Sequence, residues 1–439
     1  MPPKTDFLVQ EEILMEAILI FGLLFLLLFT GLPVFISLAG LAIGLIFVTG
    51  QSLSLVPMTM YSATESFVLL AVPLFMLMAH IMTRGGVGDD LFDFVHTWLK
   101  HLPGGLAMTT VVTCGVFAAI CGSSAATAAT IGIAAIPAMM RYKYEKNFVL
   151  GLVAAGGTLG IMIPPSGPMI IYGAVTDTSV GKLFIAGIIP GIVITGLFLG
   201  YCWFYARKRP ELQGEETASW QERWKATKRA ALSLLMPPVI IGGIYLGIFT
   251  PTEAGAIGAI MAFIICFLIY RRLGIKDIAP IFKETIKTTT MIFMIIGGAI
   301  LFGQVITINQ VPQEIVNIAA EMQMSKWTFI IFVSMLLLFL GCFLEVVSTI
   351  LIVVPIFFPI VQSLGIDPVW FGVIFTINME LALITPPIGM NLYVTMGVAD
   401  SDLNEVVRGV WPFLVLLVTG LICIMLIPGL SLWLTQFVG

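Results

Sequence analysis

Ile163-Pro164-Pro165-Ser166-Gly167-Pro168-Met169 interrupts one long apolar segment, and Thr385-Pro386-Pro387-Ile388-Gly389-Met390-Asn391 interrupts another, 222 residues later. Each segment otherwise reads as a membrane helix. Two adjacent prolines remove two backbone donors, and the glycine that follows weakens the next turn, so each helix should open there. Open backbone at membrane depth survives only where it is buried in protein or lines a cavity. Paired breaks at matching places in two halves point to a transport-type binding site.

The composition agrees with a membrane setting. Of 439 residues, 59% are hydrophobic and 10% charged, and the mean hydropathy is +1.06. Soluble domains carry about 25% charge. The apolar runs are continuous rather than alternating, which excludes a β-barrel pattern. The net charge of −4 says little, because the charges gather in loops. Six cysteines, all in apolar segments, show neither metal nor disulfide spacing, and three histidines form no metal motif. Nothing points to a nucleic-acid partner. Met1–Gln10 lacks the basic start of a cleaved signal peptide, so the first apolar run is expected to be a retained helix.

Apolar runs predict crossings at 13–29, 33–49, 67–83, 148–177 (broken), 183–205, 232–249, 253–270, 289–308, 369–399 (broken) and 410–436. Residues 103–140 and 327–362 differ. Each has a small or polar centre, Cys121-Gly122-Ser123-Ser124 in the first and Gly341 to Thr349 in the second. A half of ~16 residues reaches ~24 Å, short of a ~30 Å hydrocarbon core. Both read as re-entrant hairpins. With the N-terminus outside, this topology puts 18 of the 21 basic residues inside, as the positive-inside rule requires.

The predicted class is an all-α polytopic membrane protein with an inverted structural repeat, two re-entrant helical hairpins and two broken helices. Residues 1–205 form the first repeat and 232–439 the second. A linker, 206–231, carries seven basic residues, and its Trp220 and Trp224 mark a short amphipathic piece on the inner membrane surface. Residues 71–94 align with 295–318 at an offset of 224, and Val175 to Ser179 match Val398 to Asp402.

The chemistry concentrates at tips and breaks. Gly122, Ser123 and Ser124 give a tight turn with two hydroxyls, and the break at 163–166 frees carbonyls. Such oxygens at a half-helix C-terminus suit a hard cation such as sodium, and half-helix N-termini suit an anion. The small residues at 122–134 equally suit close helix packing. The second tip carries Glu345, which either serves a second sodium or hydrogen-bonds the hairpin shut. Glu380 reads as a structural hydrogen-bonding group. Ser124, Thr127, Ser166, Ser348, Thr349 and Asn391 are candidate substrate contacts. No lysine or arginine falls inside a predicted crossing or hairpin. An anionic substrate would therefore rest on helix dipoles, hydroxyls and bound sodium.

Gly157-Thr158-Leu159-Gly160-Ile161-Met162-Ile163-Pro164-Pro165-Ser166, Lys182 to Gly191, Phe249-Thr250-Pro251-Thr252-Glu253-Ala254 and Leu383 to Met390 resemble the large membrane (M) subunit of tripartite ATP-independent periplasmic (TRAP) transporters. The resemblance covers nearly the full length. It implies an elevator-type transporter in the bacterial inner membrane, with both termini periplasmic and sodium as coupling ion. It implies a small four-helix membrane (Q) subunit, here a separate polypeptide, and a soluble periplasmic substrate-binding (P) protein. Carried over by position, one sodium site falls on Cys121, Ser123, Gly160, Ile163 and Pro165, and a second on Glu345, Ala382, Thr385 and Pro387. The implied substrate is a small organic acid, carboxylate or sulfonate. The alternatives are a stand-alone sodium-coupled transporter of the same plan, a channel and, remotely, a membrane-embedded enzyme using Glu345 or Glu380.

Overall fold

Several helices in this chain start where a polar side chain can accept from the unpaired N–H groups of a first turn. Asp367 Oδ1 accepts from Val369 N and Trp370 N, both at 2.9 Å, and Ser219 with Glu222 and Thr250 with Glu253 close capping boxes. The computed structural model describes residues 4–437, and of residues 4–14, 17, 18 and 64 the backbone alone. Among the described residues every regular element is helical. The side chains of Met1–Gln10 and the final residues 438–439 lie outside this description, as do the expectations made for them.

The first half runs α1 (Lys4–Phe29), α2 (Val34–Val48), α3 (Leu55–Thr64), α4 (Ala71–Arg84) and α5 (Val87–Leu99). A hairpin follows, α6 (Gly105–Cys121) and α7 (Ser124–Arg141). Then come the broken pair α8 (Lys146–Met162) and α9 (Gly167–Thr176), and α10 (Val180–Arg207). The second half repeats the order with α11 (Trp220–Tyr245), α12 (Pro251–Phe263), α13 (Ile275–Ile308) and α14 (Val311–Glu321). Its hairpin is α15 (Lys326–Gly341) and α16 (Val346–Ser363), its broken pair α17 (Pro368–Leu383) and α18 (Met390–Ala399), and its last long helix α19 (Leu403–Leu426).

The repetition reaches single residues. Gly86 and Gln310, 224 apart, both take left-handed backbone before α5 and α14. Asp177 and Asp400 do so after the two broken helices, and Ser179 and Asp402 begin the helices that follow. The Pro–Pro bonds of the two breaks, 164–165 and 386–387, are cis. The broken helices lie antiparallel. Lys146 at the start of α8 pairs with Glu405, just beyond the end of α18, at 2.6 Å. Tyr172 near the end of α9 donates to Pro368 O at the start of α17, at 2.8 Å. Opposed ends pinned in this way make the repeat an inverted one.

Among the described residues six helices are long and apolar enough to cross a membrane, counting α8 and α9 as one. Of the hairpin helices α16 alone is both long and apolar enough; α6 and α15 are shorter, and α7 has the length but is less apolar. Two predicted elements differ in extent. The crossing expected at 410–436 stops at Leu426, because Pro428 forces Ile427 out of helical geometry (φ −123°, ψ 78°). Trp220 and Trp224 do not mark a separate piece. The helix begun by the Ser219 cap carries them without a glycine or proline as far as Met236 and continues through Pro237 and Pro238 to Tyr245.

The segment leading into the first hairpin is anchored. Asp90 on α5 is buried and takes Arg229 Nε of α11 at 2.6 Å and Arg272 Nη1, beyond α12, at 2.6 Å. Arg272 also donates to Gly85 O and Gly86 O, at the bend between α4 and α5.

Candidate functional site

The two broken regions superpose in sequence as well as in order. Ser123 and Glu345, Thr127 and Thr349, Gly160 and Ala382, Ile163 and Thr385, and Pro165 and Pro387 are each 222 residues apart. In both hairpins the threonine hydroxyl donates to the carbonyl of the tip residue, Thr127 to Ser123 O at 2.8 Å and Thr349 to Glu345 O at 3.2 Å.

Around the first tip the backbones touch. Gly122 holds left-handed backbone (φ +61°), and a Cβ there would lie 2.6 Å from Pro165 O. A Cβ on Gly160 would lie 2.6 Å from Ser123 O. Glycine at both positions is what lets the tip seat against the break. Cys121, Ser123, Gly160 and Pro165 therefore come together. The side chain of Ile163 turns away, packing on Gly191 of α10 and Gly115 of α6, so only its backbone can serve the site.

The second site is looser. Ala382 packs on Gly341 of α15, Cys342 Sγ lies 3.5 Å from Pro386 O, and Thr385 Oγ1 donates to Leu381 O at 2.6 Å. Pro387 is exposed, whereas Pro165 is buried. Glu345 heads α16 with its carboxylate next to Val347 N and Ser348 N, without a capping bond. Among the described residues it makes no bond to another element, so it does not fasten the hairpin. Glu380 departs from the sequence reading altogether. It is wholly buried, and among the described residues neither carboxylate oxygen has a hydrogen-bond partner.

One cavity joins the two halves. It measures about 110 Å³ and is lined by Ser123 and Ser124, by Glu345, by Gly167 and Pro168 beyond the first break, and by Leu383 and Met390 about the second. Val72 and Met76 of α4 and Thr288, Met291 and Ile292 of α13 close it. These wall residues escaped the sequence reading. The only signal was the run Thr288-Thr289-Thr290 at the head of a predicted crossing. Of the candidate substrate contacts, Ser124 lines the cavity. Thr127, Ser166 and Thr349 spend their hydroxyls on local carbonyls, Ser166 on Ile161 O at 2.6 Å. Ser348 is buried, and Asn391 is engaged by Ser124 and Ala154 O. No cluster of three or more His, Cys, Asp or Glu side chains exists among the described residues. A cation at either tip would draw on hydroxyl and carbonyl oxygens, a donor set that fits a hard ion.

An all-helical fold with antiparallel broken helices, two hairpins and a shared cavity defines a polytopic membrane protein of transporter type. Residues 21–430 match the family described as "Tripartite ATP-independent periplasmic transporter, DctM component", and the chain belongs to that family. It is 42% identical to the C4-dicarboxylate TRAP transporter large permease protein DctM of Pseudomonas aeruginosa, over 87% of this chain and 89% of that protein. It is 36% identical to the sialic acid TRAP transporter large permease protein SiaM of Vibrio cholerae, over 96% and 98%. It also shares its fold with the Alcanivorax borkumensis YdaH transporter, whose crystal structure shows an unusual topology, at a TM-score of 0.58 and 12% identity over 82% of this chain and 85% of that one. Membership of a permease family replaces the enzyme reading.

Proposed function

We propose that this chain performs sodium-coupled, ATP-independent uptake of a small organic anion, a carboxylate or sulfonate, across the bacterial inner membrane. A soluble periplasmic protein delivers the substrate, and a separate small four-helix membrane subunit completes the complex. The observation that carries this reading is the single cavity lined from both tips and both breaks. Sodium is cargo. The first ion rests on oxygens of Cys121, Ser123, Gly160, Ile163 and Pro165, and the second on Glu345, Ala382, Thr385 and Pro387. With no lysine or arginine lining the cavity, bound sodium supplies the positive charge that an anion needs.

The motion is an elevator. Hairpins and broken helices slide as one body past α4 and α13, which form the facing wall of the cavity. Residues 1–205 and 232–439 act as opposed repeats joined by the cytoplasmic linker 206–231, with both termini periplasmic. The test is uptake of labelled organic acids into proteoliposomes holding this chain and its small partner, with and without a sodium gradient and a binding protein. Uptake that requires both supports the proposal. Uptake needing sodium but no binding protein makes the chain a stand-alone carrier, and uptake indifferent to sodium removes the coupling.

A further inference from the structure

Glu380 is the one carboxylate in the broken helices, and the site above does not use it. It has no exposed surface, and among the described residues both of its oxygens lack a hydrogen-bond partner. Its direction follows from its neighbours on α17. Asn378 donates to Ser334 Oγ of α15 at 3.1 Å, and Ala382 meets Gly341 of α15. At 100° per residue, Glu380 lies on the other side of the helix. It falls between Gly372, which meets Leu183 of α10, and Trp370, which donates to Ile424 O of α19. In the other half, the position 222 residues earlier holds Thr158, whose hydroxyl is satisfied by Ala155 O. The fold therefore has no packing need for an acid at this place.

An ionised carboxylate without donors in an apolar interior is strongly disfavoured, and a proton relieves it. A sodium ion would not suffice, because hard cations require several oxygen ligands and no polar atom reaches either oxygen. The charged residues of the helices packed on α17 do not reach it. Among the described residues none of Lys146, Lys182, Arg207, Lys326, Glu405, Arg408 or Glu345 forms an ion pair or hydrogen bond with it. Tyr172 donates its hydroxyl to Pro368 O instead.

We propose that Glu380 is a proton-binding site, occupied in the conformation described here and exchanged as the broken helix moves. Occupancy stands on the orphaned carboxyl alone, while exchange rests on the transport reading. Infrared difference spectroscopy of the full-length chain in lipid tests occupancy. The wild type is expected to show the carbonyl stretch of a protonated carboxyl, shifted in heavy water. Glu380→Gln should remove that band, and Glu380→Asp, which keeps a carboxyl, should shift it. A band unchanged in Glu380→Gln overturns the proposal. So does a band that sodium abolishes in the wild type, since the site would then be a sodium site. Exchange is read with a pH dye trapped in vesicles. Proton movement accompanying uptake should fall to background in Glu380→Gln, and unchanged movement in that variant overturns the coupling role. Failure of sodium-driven uptake in the wild type would count against the transport reading and leave the infrared result standing.

Discussion

Asn391 Nδ2 donates to Ser124 Oγ at 2.7 Å, across 267 residues of sequence. Its second donor hydrogen goes to Ala154 O at 3.0 Å. Asn391 stands at the head of α18, Ser124 at the head of α7 and Ala154 within α8. One buried amide thus ties the second break to the first hairpin and first broken helix, so these pieces share one rigid body. Replacing Asn391 by leucine removes the partner of the buried Ser124 hydroxyl and the second bond to Ala154 O, which keeps its helical one. Unpairing the hydroxyl costs about 1–3 kcal/mol. The expected outcome is a lowered unfolding temperature of the purified chain together with reduced uptake, and an unchanged unfolding temperature would remove the tie.

Gly160 and Ala382 occupy equivalent places but face different neighbours. A Cβ on Gly160 meets backbone, with Ser123 O at 2.6 Å and Ser124 N at 2.9 Å, and backbone cannot rotate away. Gly160→Ala should push the tip off the break, at roughly 1–3 kcal/mol, and abolish uptake while the chain still reaches the membrane. Ala382→Gly removes one methyl at the α15 contact and weakens the helix by about 1 kcal/mol, so most uptake should survive. Equal uptake by the two variants would contradict the geometry.

Ser123 lines the cavity at the position that Glu345 takes in the other half. Ser123→Ala is expected to raise the sodium concentration for half-maximal uptake about tenfold, the equivalent of ~1.4 kcal/mol, with expression unchanged. Sodium activation identical to wild type would exclude the hydroxyl and leave only backbone oxygens at the first tip.

The breaks and the small hairpin tip were legible in the sequence because each break joins a proline pair to a glycine two residues on, whereas Pro237-Pro238, without that glycine, lies inside unbroken α11. Pro164 and Pro165 remove donors wherever they stand. The inverted order could be read because the offsets of 222 to 224 persist from α4 and α5 through the hairpin and broken helices to α10. What stayed hidden was the state of each polar group. Ser166 and Thr127 look like ligands in a sequence, yet their hydroxyls satisfy nearby carbonyls, a choice set by local backbone geometry. Glu380 looked like a bonded group because buried acids usually are, and only the packing of α17 shows it without a partner among the described residues. Thr288 could be assigned to the cavity wall only once α13 was placed beside the tips.

Asp90 joins α5 to both Arg229 and Arg272 while fully buried itself. The residue 224 positions later, Glu314, accepts only from Asn317 Nδ2 among the described residues. The first arm is thus held by charge and the second is not. Asp90→Ala should destabilise the chain by about 3 kcal/mol, the low end for a broken buried pair, because both guanidiniums keep contact with solvent. Glu314→Gln should cost under about 1 kcal/mol. Thermal unfolding of the two variants side by side distinguishes them, and equal losses would refute the asymmetry.

His96 on α5 lies 3.9 Å from Glu215 of the connection between the halves, and Lys100 O accepts from Glu215 N at 2.8 Å. Burial holds the imidazole below its ordinary value of 6.5, with Glu215 opposing in part. The unfolded form therefore takes up a proton first as pH falls. The contribution of His96 to docking the connection is complete above pH 6.5 and is lost as pH falls through that value toward the lowered one. Limited proteolysis within 208–219 should accordingly be faster at about pH 5.5 than at about pH 8. His96→Gln, which cannot be protonated, should flatten that dependence. An equally steep dependence in the variant would place the switch on another group.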